Sequence, residues 1–197
     1  MRQQIDYYFT SISPFAYLGH RALLRIAQEY GAEIRYKPVK LSQVFTAAAV
    51  VPLAQRPVCR QQYRLLEIGR WAKKRGLPVN QQPAHFPTDP SLADRCAVAI
   101  QQQGRDAGDF IGRVLAACWA EEKNIADEAV IRQILGDLDL DALTLLEQAK
   151  TEAVETIYAA NTTAAIEQGV LGAPAYLLNG EQFWGQDRLE LLADALR

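Results

Sequence analysis

The order of the predicted elements is the feature that most constrains the fold of this chain. Gln4–Phe9 is a short run rich in aromatic residues that is typical of a strand. Apolar residues then recur at three- and four-residue steps from Phe15 to Tyr30, which predicts a helix that ends at Gly31. Glu33–Val39 alternates and predicts a second strand. Because a strand–helix–strand unit favours parallel pairing, we expect the chain to open on a parallel pair.

Helical patterns fill the middle of the chain, and strand patterns return only near its end. The last helix of this block is predicted to run to about Gln168 and to end at Gly169. Two predicted strands, Ala175–Leu178 and Glu181–Trp184, then flank Asn179-Gly180, the preferred turn of a two-residue hairpin. Gln186–Leu196 is predicted to form a final helix. The sequence therefore predicts an α/β chain whose split sheet is interrupted by helices.

Composition excludes several classes of function. The 197 residues carry a net charge of −2, so there is no basic field to hold a nucleic acid. The apolar stretch Ala47–Leu53 is interrupted by Pro52 and is too short to span a bilayer. The first residues contain no apolar run of signal-peptide length, and the three cysteines cannot all pair. We expect a cytoplasmic protein without nucleic-acid or membrane partners.

Ser13-Pro14, at the start of the first helix, can be interpreted in two ways. Serine is a preferred N-cap and proline is favoured at the first helical position, so the pair can simply begin a helix. The same geometry suits anion binding, because the free N–H groups and the dipole of a helix N-terminus attract negative charge. A thiolate placed there would be stabilised.

Two further motifs flank the predicted hairpin. Pro174 should lie at the start of a strand, since proline is disfavoured inside a central one. Phe183–Arg188 lies at a strand-to-helix junction, where Gln186 and Asp187 can serve as first-turn polar residues or can form an ion site. No spacing of His, Cys and Asp indicates a metal site.

Together these motifs resemble a known family. The matching segments are Tyr8–Leu18, His85–Pro90, Gly169–Pro174 and Phe183–Leu189. Their order is similar to that of the DsbA-like thioredoxin superfamily, and within it to the 2-hydroxychromene-2-carboxylate isomerases and the related kappa-class glutathione transferases. The resemblance implies a thioredoxin-like fold with an inserted all-helical domain. On this basis we predict a thioredoxin-like domain over residues 1–42 and 162–197, and a helical domain over 43–161.

The resemblance also implies glutathione as the cofactor. Ser13 corresponds to the serine that faces the glutathione sulfur, where redox relatives have their first active-site cysteine. Pro174 corresponds to a cis-proline beside which the backbone of Ala173 pairs with the tripeptide, and Gln186 and Asp187 correspond to residues that hold the γ-glutamyl end. The predicted cofactor-binding residues are Ala173, Pro174, Trp184, Gln186 and Asp187.

The implied substrate is an aromatic keto acid, and the implied assembly is a homodimer. We predict that Phe15, Tyr17 and Phe86 contact the substrate. Relatives often place an asparagine in the loop after the second strand, but this chain reads Val51–Pro57 there. Basic residues that could attract an organic acid are Lys37, Lys40, Arg56 and Arg60.

Other functions of the same fold stay open or are excluded. A kappa-type glutathione transferase or peroxidase would use the same thiolate on another electrophile, and a non-catalytic domain would bind glutathione or peptides without turnover. A dithiol oxidoreductase is excluded because Ser13 and Ala16 occupy the two cysteine positions. A serine hydrolase is disfavoured because Gly-x-Ser-x-Gly is absent, although His85 could approach Ser13.

Overall fold

The computed structural model describes residues 2–197, within which the strands form one four-stranded sheet. The strands are β1 (Gln4–Phe9), β2 (Glu33–Pro38), β3 (Ala175–Leu178) and β4 (Glu181–Trp184). The helices are α1 (Pro14–Tyr30), α2 (Leu41–Ala47), α3 (Val58–Arg75), α4 (Ser91–Gln102), α5 (Gly108–Trp119), α6 (Glu128–Asp137), α7 (Ala142–Ala149), α8 (Glu152–Glu167) and α9 (Leu189–Ala195). Short 3-10 helices cover Leu53–Gln55 and Gln186–Arg188.

The sheet brings together the two ends of the chain. Its order is β2-β1-β3-β4, with β1 parallel to β2 and antiparallel to β3. Tyr7 of β1 is in register with Tyr36 on one side and with Tyr176 on the other. The β3–β4 hairpin turns at Asn179-Gly180 as predicted. The predicted parallel opening pair and the split sheet are confirmed.

Helix α1 follows the capping rules. Ser13 is its N-cap, Pro14 is its first residue, and the N–H of Gly31 bonds back to the last turn of the helix. The apolar stripe of α1 includes Leu18 and Leu23, which are fully buried against the sheet and the helices. This arrangement fixes Ser13 at the edge where β1 ends.

The helical block between β2 and β3 shares its core with the sheet. Helix α4 packs against β2 and α8, and α5 packs against α1. One buried apolar cluster includes Phe9 of the sheet together with Phe110 and Leu145 of the block. The predicted boundary after residue 42 falls within α2, and that after residue 161 falls within α8. The division into two domains therefore stays a prediction.

One of the last two helices matches its prediction and the other differs in a detail. Thr151 accepts a hydrogen bond from the Val154 N–H and begins α8 as its N-cap, and the helix ends before Gly169 as predicted. The final helix begins as a 3-10 turn over Gln186–Arg188 before α9. Within the part of the chain that the structure describes, no helix combines the length and the apolar character needed to cross a membrane.

Candidate functional site

The hydroxyl of Ser13 joins the first helix to the chain segment before β3. Ser13 is 4% exposed, and its Oγ accepts a hydrogen bond from the Ala16 N–H at 3.2 Å. The same Oγ donates to the carbonyl oxygen of Ala173 at 3.1 Å. Pro14 has no N–H, and the Phe15 N–H lies in the first turn, where helix geometry supplies no intrahelical acceptor. The hydroxyl therefore serves as an N-cap and also faces the predicted cofactor segment.

The loop that carries Ser13 is hydrogen-bonded to Asp94 of α4. Asp94 is fully buried and accepts hydrogen bonds from the Ser11 N–H at 2.8 Å, the Ser11 hydroxyl at 2.7 Å and the Thr10 hydroxyl at 2.9 Å. The Tyr158 hydroxyl donates at 3.2 Å. Burial raises the pKa of the Asp94 carboxyl to about 6, although these donors favour the ionised form. Asp94 is a positioning residue that the sequence motifs did not single out.

Trp119 fixes the other side of the same loop. Its indole Nε1 donates to the carbonyl oxygen of Ile12 at 3.2 Å. The ring of Phe86 packs against Trp119 with centroids 5.0 Å apart and an interplanar angle of 51°. Phe86, predicted to contact substrate, therefore packs against Trp119, which is hydrogen-bonded to Ile12, the residue before Ser13. Helical periodicity placed Trp119 on an apolar stripe and gave no sign of this contact.

Ala173 and Pro174 lie opposite Ser13, and the peptide bond between them is cis. Pro174 is buried, and its carbonyl oxygen accepts a hydrogen bond from the Gly185 N–H at 2.9 Å. Ala173 is half-buried, and its N–H has no acceptor among residues 2–197. An extended peptide could pair with this free N–H.

Trp184 lies beside the backbone at Gly172. Its side chain is about half exposed on β4. A β-carbon built on Gly172 would lie 3.1 Å from the Trp184 Nε1 and 3.2 Å from Cε1 of Phe45. The absence of a side chain at Gly172 therefore lets Trp184 and Phe45 approach the segment that leads to Ala173.

Gln186 and Asp187 differ in their surroundings. Gln186 is 2% exposed, and Arg75 donates to its Oε1 and to its backbone carbonyl oxygen, both at 3.0 Å. The side-chain amide N–H groups of Gln186 have no acceptor among residues 2–197 and are left to bind a ligand. Asp187 is exposed to solvent at its carboxylate, which pairs with Arg188 at 3.0 Å. Asp187 can therefore accept a hydrogen bond from an ammonium group.

Of the other predicted substrate residues, Tyr17 is buried and Phe15 is half-buried like Phe86. The Tyr17 side chain is 6% exposed, and its hydroxyl donates to the carbonyl oxygen of Pro78 at 2.6 Å. Burial raises the pKa of this hydroxyl. Phe15 is half-buried and packs against the main core. The structure therefore brings Phe86 close to the loop of Ser13. The hydroxyl of Tyr17 is instead hydrogen-bonded to Pro78.

The basic residues in β2 and after it form two groups, one paired with carboxylates and one not. Lys37 pairs with Asp6 at 2.8 Å, and Lys40 pairs with Glu155. Arg56 donates to the Val51 carbonyl oxygen at 2.8 Å within the loop that lacks the family asparagine. Arg56 and its neighbour Arg60 have no carboxylate at salt-bridge distance among residues 2–197.

Neither histidine is hydrogen-bonded to Ser13. His85 is exposed and makes no hydrogen bond to Ser13. His20 is buried, with Nε2 at 2.8 Å from the Gly108 carbonyl oxygen, and burial lowers its pKa to about 4. His20 is therefore neutral at neutral pH. A groove of about 500 Å³ runs past His20, away from Ser13, and residues 2–197 hold no cluster of three potential metal ligands.

Comparison with known proteins identifies the family of the chain. A family model for the DSBA-like thioredoxin domain matches residues 4–197. A 2-hydroxychromene-2-carboxylate isomerase from Sphingobium xenophagum is 30% identical, and the alignment covers 100% of this chain and 99% of the relative. The enzyme of the same name from Pseudomonas putida is 30% identical over 98% of this chain and 93% of its own.

A solved structure of a 2-hydroxychromene-2-carboxylate isomerase superposes with a TM-score of 0.82 at 29% identity, covering 98% of this chain and 94% of that one. The predicted thioredoxin-like fold is confirmed. The similarity to these enzymes supports an isomerase role. With its strand order, its Ser13–Ala173 contact and a family match over nearly its whole length, this chain belongs to the DSBA-like thioredoxin domain family.

Proposed function

We propose that this protein is a glutathione-dependent isomerase that interconverts 2-hydroxychromene-2-carboxylate and trans-o-hydroxybenzylidenepyruvate. The observation that carries the proposal is the Ser13 hydroxyl, which lies at a helix N-terminus and within hydrogen-bond distance of the Ala173 carbonyl oxygen. Full-length similarity to isomerases of this name supports the choice of substrate.

The residues present fit glutathione. The Ala173 N–H is free to pair with an extended peptide, as in the addition of a strand to a sheet edge. The exposed carboxylate of Asp187 suits the ammonium of the γ-glutamyl group, and the Gln186 amide can donate to its carboxylate. Trp184 and Pro174 would complete the apolar wall of this end of the site.

The chemistry that bound glutathione supplies is a thiolate nucleophile that adds reversibly to a conjugated double bond and so permits rotation about it. Ser13 would turn its hydroxyl from Ala173 to donate to the sulfur anion, while the Phe15 N–H and the dipole of α1 add positive potential. Lowering an ordinary thiol pKa of about 8.5 by about two units corresponds to about 2.7 kcal/mol. A charge-assisted hydrogen bond and a helix terminus together supply energies of this order.

On the substrate side, the ring of Phe86 offers a flat apolar face near the loop of Ser13. Phe15 and Tyr17, in the first turn of α1, would restrict the space above Ser13. The cleft between α1 and the helical block would in this way align the conjugated chain of the keto acid with the Ser13 hydroxyl.

The proposal includes a homodimer in the cytoplasm. Several large apolar side chains on and near α3 are exposed, which suits contact with a second copy. The exposed free thiol of Cys59 suits a reducing compartment. Light scattering at micromolar concentration should give twice the mass of the chain, and a monomeric mass would contradict the dimer.

The decisive experiment is a spectrophotometric assay of 2-hydroxychromene-2-carboxylate with and without glutathione. We expect conversion to the trans-pyruvate only when glutathione is present. Conversion without glutathione would contradict the cofactor assignment. Conjugation of glutathione to chlorodinitrobenzene, or reduction of a peroxide, without any isomerisation would instead indicate a transferase or peroxidase. Binding of glutathione without turnover of any of these substrates would indicate a non-catalytic domain.

A further inference from the structure

Arg64 of α3 is a half-buried cation without a carboxylate partner. Its guanidinium carbon lies 5.4 Å from the ring centroid of Phe86 and 5.8 Å from that of Trp119. No carboxylate among residues 2–197 reaches salt-bridge distance of it, and it makes no hydrogen bond to another side chain or to the backbone. Arg64 therefore stacks over the aromatic pair with its N–H donors unused.

Arg64 differs from the other arginines because it is half-buried without a partner, whereas Arg60, which also lacks one, is exposed. Arg70, on the same helix, pairs with Glu67 at 2.8 Å, and Arg75 donates to Gln186. Charged groups that leave water are normally paired, because an unpaired buried charge is costly. Stacking on aromatic rings offsets only part of that cost. The free N–H groups of Arg64 indicate that an anion is its missing partner.

A second cation strengthens the positive potential at this place. Burial, and after it repulsion from Arg56, lowers the pKa of Arg64 to about 10. Arg56 lies over the ring of Phe45 at 5.8 Å, and Phe45 in turn approaches the backbone at Gly172. The two arginines would repel each other less with an anion between them.

The contacts of Arg64 and those of Arg56 lead to two segments of the candidate site. Through Trp119 the contacts of Arg64 reach Ile12, the residue before Ser13. The contact of Arg56 with Phe45 leads to Gly172, the residue before Ala173. The Ser13–Ala173 hydrogen bond joins the two segments that these contacts reach.

We propose that Arg64, supported by Arg56, binds the carboxylate of an aromatic 2-oxo acid whose ring lies against Phe86. This rests on the proposed function, and it names the residue that recognises the acid group of that substrate. A guanidinium presents two parallel N–H groups, which match a carboxylate. The flanking aromatic faces favour an aromatic acid over the carboxylates of glutathione.

The test compares an aromatic acid with its neutral analogue. We would titrate trans-cinnamate and trans-cinnamamide into the protein with saturating glutathione, using calorimetry. The wild type should prefer the acid, and Arg64→Leu should weaken cinnamate binding by about ten- to 150-fold with little effect on the amide. Arg64→Lys should retain part of the preference. Arg70→Leu is the matched control, with the same change of charge on the same helix, and should leave both affinities unchanged.

Each other outcome has a defined meaning. Equal losses for acid and amide would show that Arg64 only supports the aromatic pair, which overturns the proposal. A wild type without preference for the acid overturns it as well, even if Arg64→Leu fails to fold. If Arg64→Leu lowers glutathione binding alone, the carboxylate is that of glutathione, and the proposal is wrong. Acid selectivity that depends on Arg64 in a protein that does not convert the chromene would sustain this proposal and overturn the proposed function.

Discussion

The Ser13 hydroxyl donates a hydrogen bond to the carbonyl oxygen of Ala173, 160 residues further along the chain, at 3.1 Å. The same oxygen atom caps α1 by accepting from the Ala16 N–H. One side chain therefore begins a helix and meets the segment on which peptide binding is proposed. Its structural and chemical contributions can be separated by experiment.

The Ser13→Ala variant should lose both contributions. Loss of the cap should lower the free energy of unfolding by about 1 kcal/mol. Loss of a donor to the sulfur anion should raise the pKa of bound glutathione and slow the isomerisation at neutral pH by about ten- to 150-fold. Ultraviolet titration of the bound thiolate measures the pKa directly.

Thr151→Ala provides the control for Ser13, since Thr151 is also a hydroxyl N-cap, at the start of α8. It should reduce stability by a similar amount and leave the thiol pKa unchanged. If Ser13→Ala behaves in the same way, Ser13 is an N-cap only and has no part in the chemistry.

Local signals in the sequence predicted the framework of the site. Ser13-Pro14 begins a helix, Gly31 ends it, and Asn179-Gly180 forms a turn. Each of these short-range signals has its predicted effect in the structure. They succeed because capping and turn formation involve neighbouring residues.

The groups that surround Ser13 could not be predicted in this way. Asp94 is hydrogen-bonded to Ser11, from which it is separated by 83 positions in the sequence, and Trp119 is hydrogen-bonded to Ile12 at a separation of 107. Periodicity shows only that such residues face the interior, and packing of the whole fold decides which partners they meet. Arg64 was missed for the same reason, since nothing in its neighbourhood on α3 marks it as unpaired.

Asp94 should make stability depend on pH in a characteristic window. Its folded-state pKa of about 6 lies above its ordinary value of 3.8, so the folded protein holds this proton more strongly than the unfolded chain. The stabilisation is present below about pH 4 and is lost as pH rises through 6. Relative to Asp94→Asn, the free energy of unfolding of the wild type should fall by about 3 kcal/mol across this window. Urea denaturation at a series of pH values measures the difference.

Tyr158→Phe sharpens the test of Asp94, because it removes one donor to the carboxylate. The window in which stability falls should then shift to higher pH. Parallel pH curves for the wild type and Asp94→Asn would contradict the assignment of the transition to Asp94.

Asp187→Asn should weaken glutathione binding by a modest factor. The carboxylate is exposed and shared with Arg188, so its attraction to an ammonium group is screened by solvent. We expect a loss in affinity of about 1.4- to fivefold and a smaller glutathione-induced rise in Tm. Asp194→Asn is the control, because Asp194 also pairs with an arginine, in the last turn of the chain. Equal responses of the two variants would argue against a γ-glutamyl site at Asp187.

Gly19→Ala should displace the segment that carries Gln186. A β-carbon on Gly19 of α1 would lie 2.7 Å from the Cβ of Gln186 and 2.9 Å from the hydroxyl of Tyr176. Alanine favours a helix over glycine by about 1 kcal/mol, but the overlap should outweigh this and reduce stability by about 1–3 kcal/mol overall. Glutathione binding should weaken as well, since Asp187 moves with its neighbour.

Gly136→Ala is the control for Gly19→Ala, because it is the same substitution at a helical position where the added β-carbon has no close neighbour. Gly136 lies in α6, and a β-carbon there would meet nothing within 4 Å. This variant should therefore gain about 1 kcal/mol and keep its affinity for glutathione. Urea midpoints of the two variants, compared with the wild type, should move in opposite directions. A stabilised Gly19→Ala protein with full glutathione affinity would show that the 186–188 turn can move without consequence, and that its close contact with α1 does not position the proposed γ-glutamyl site.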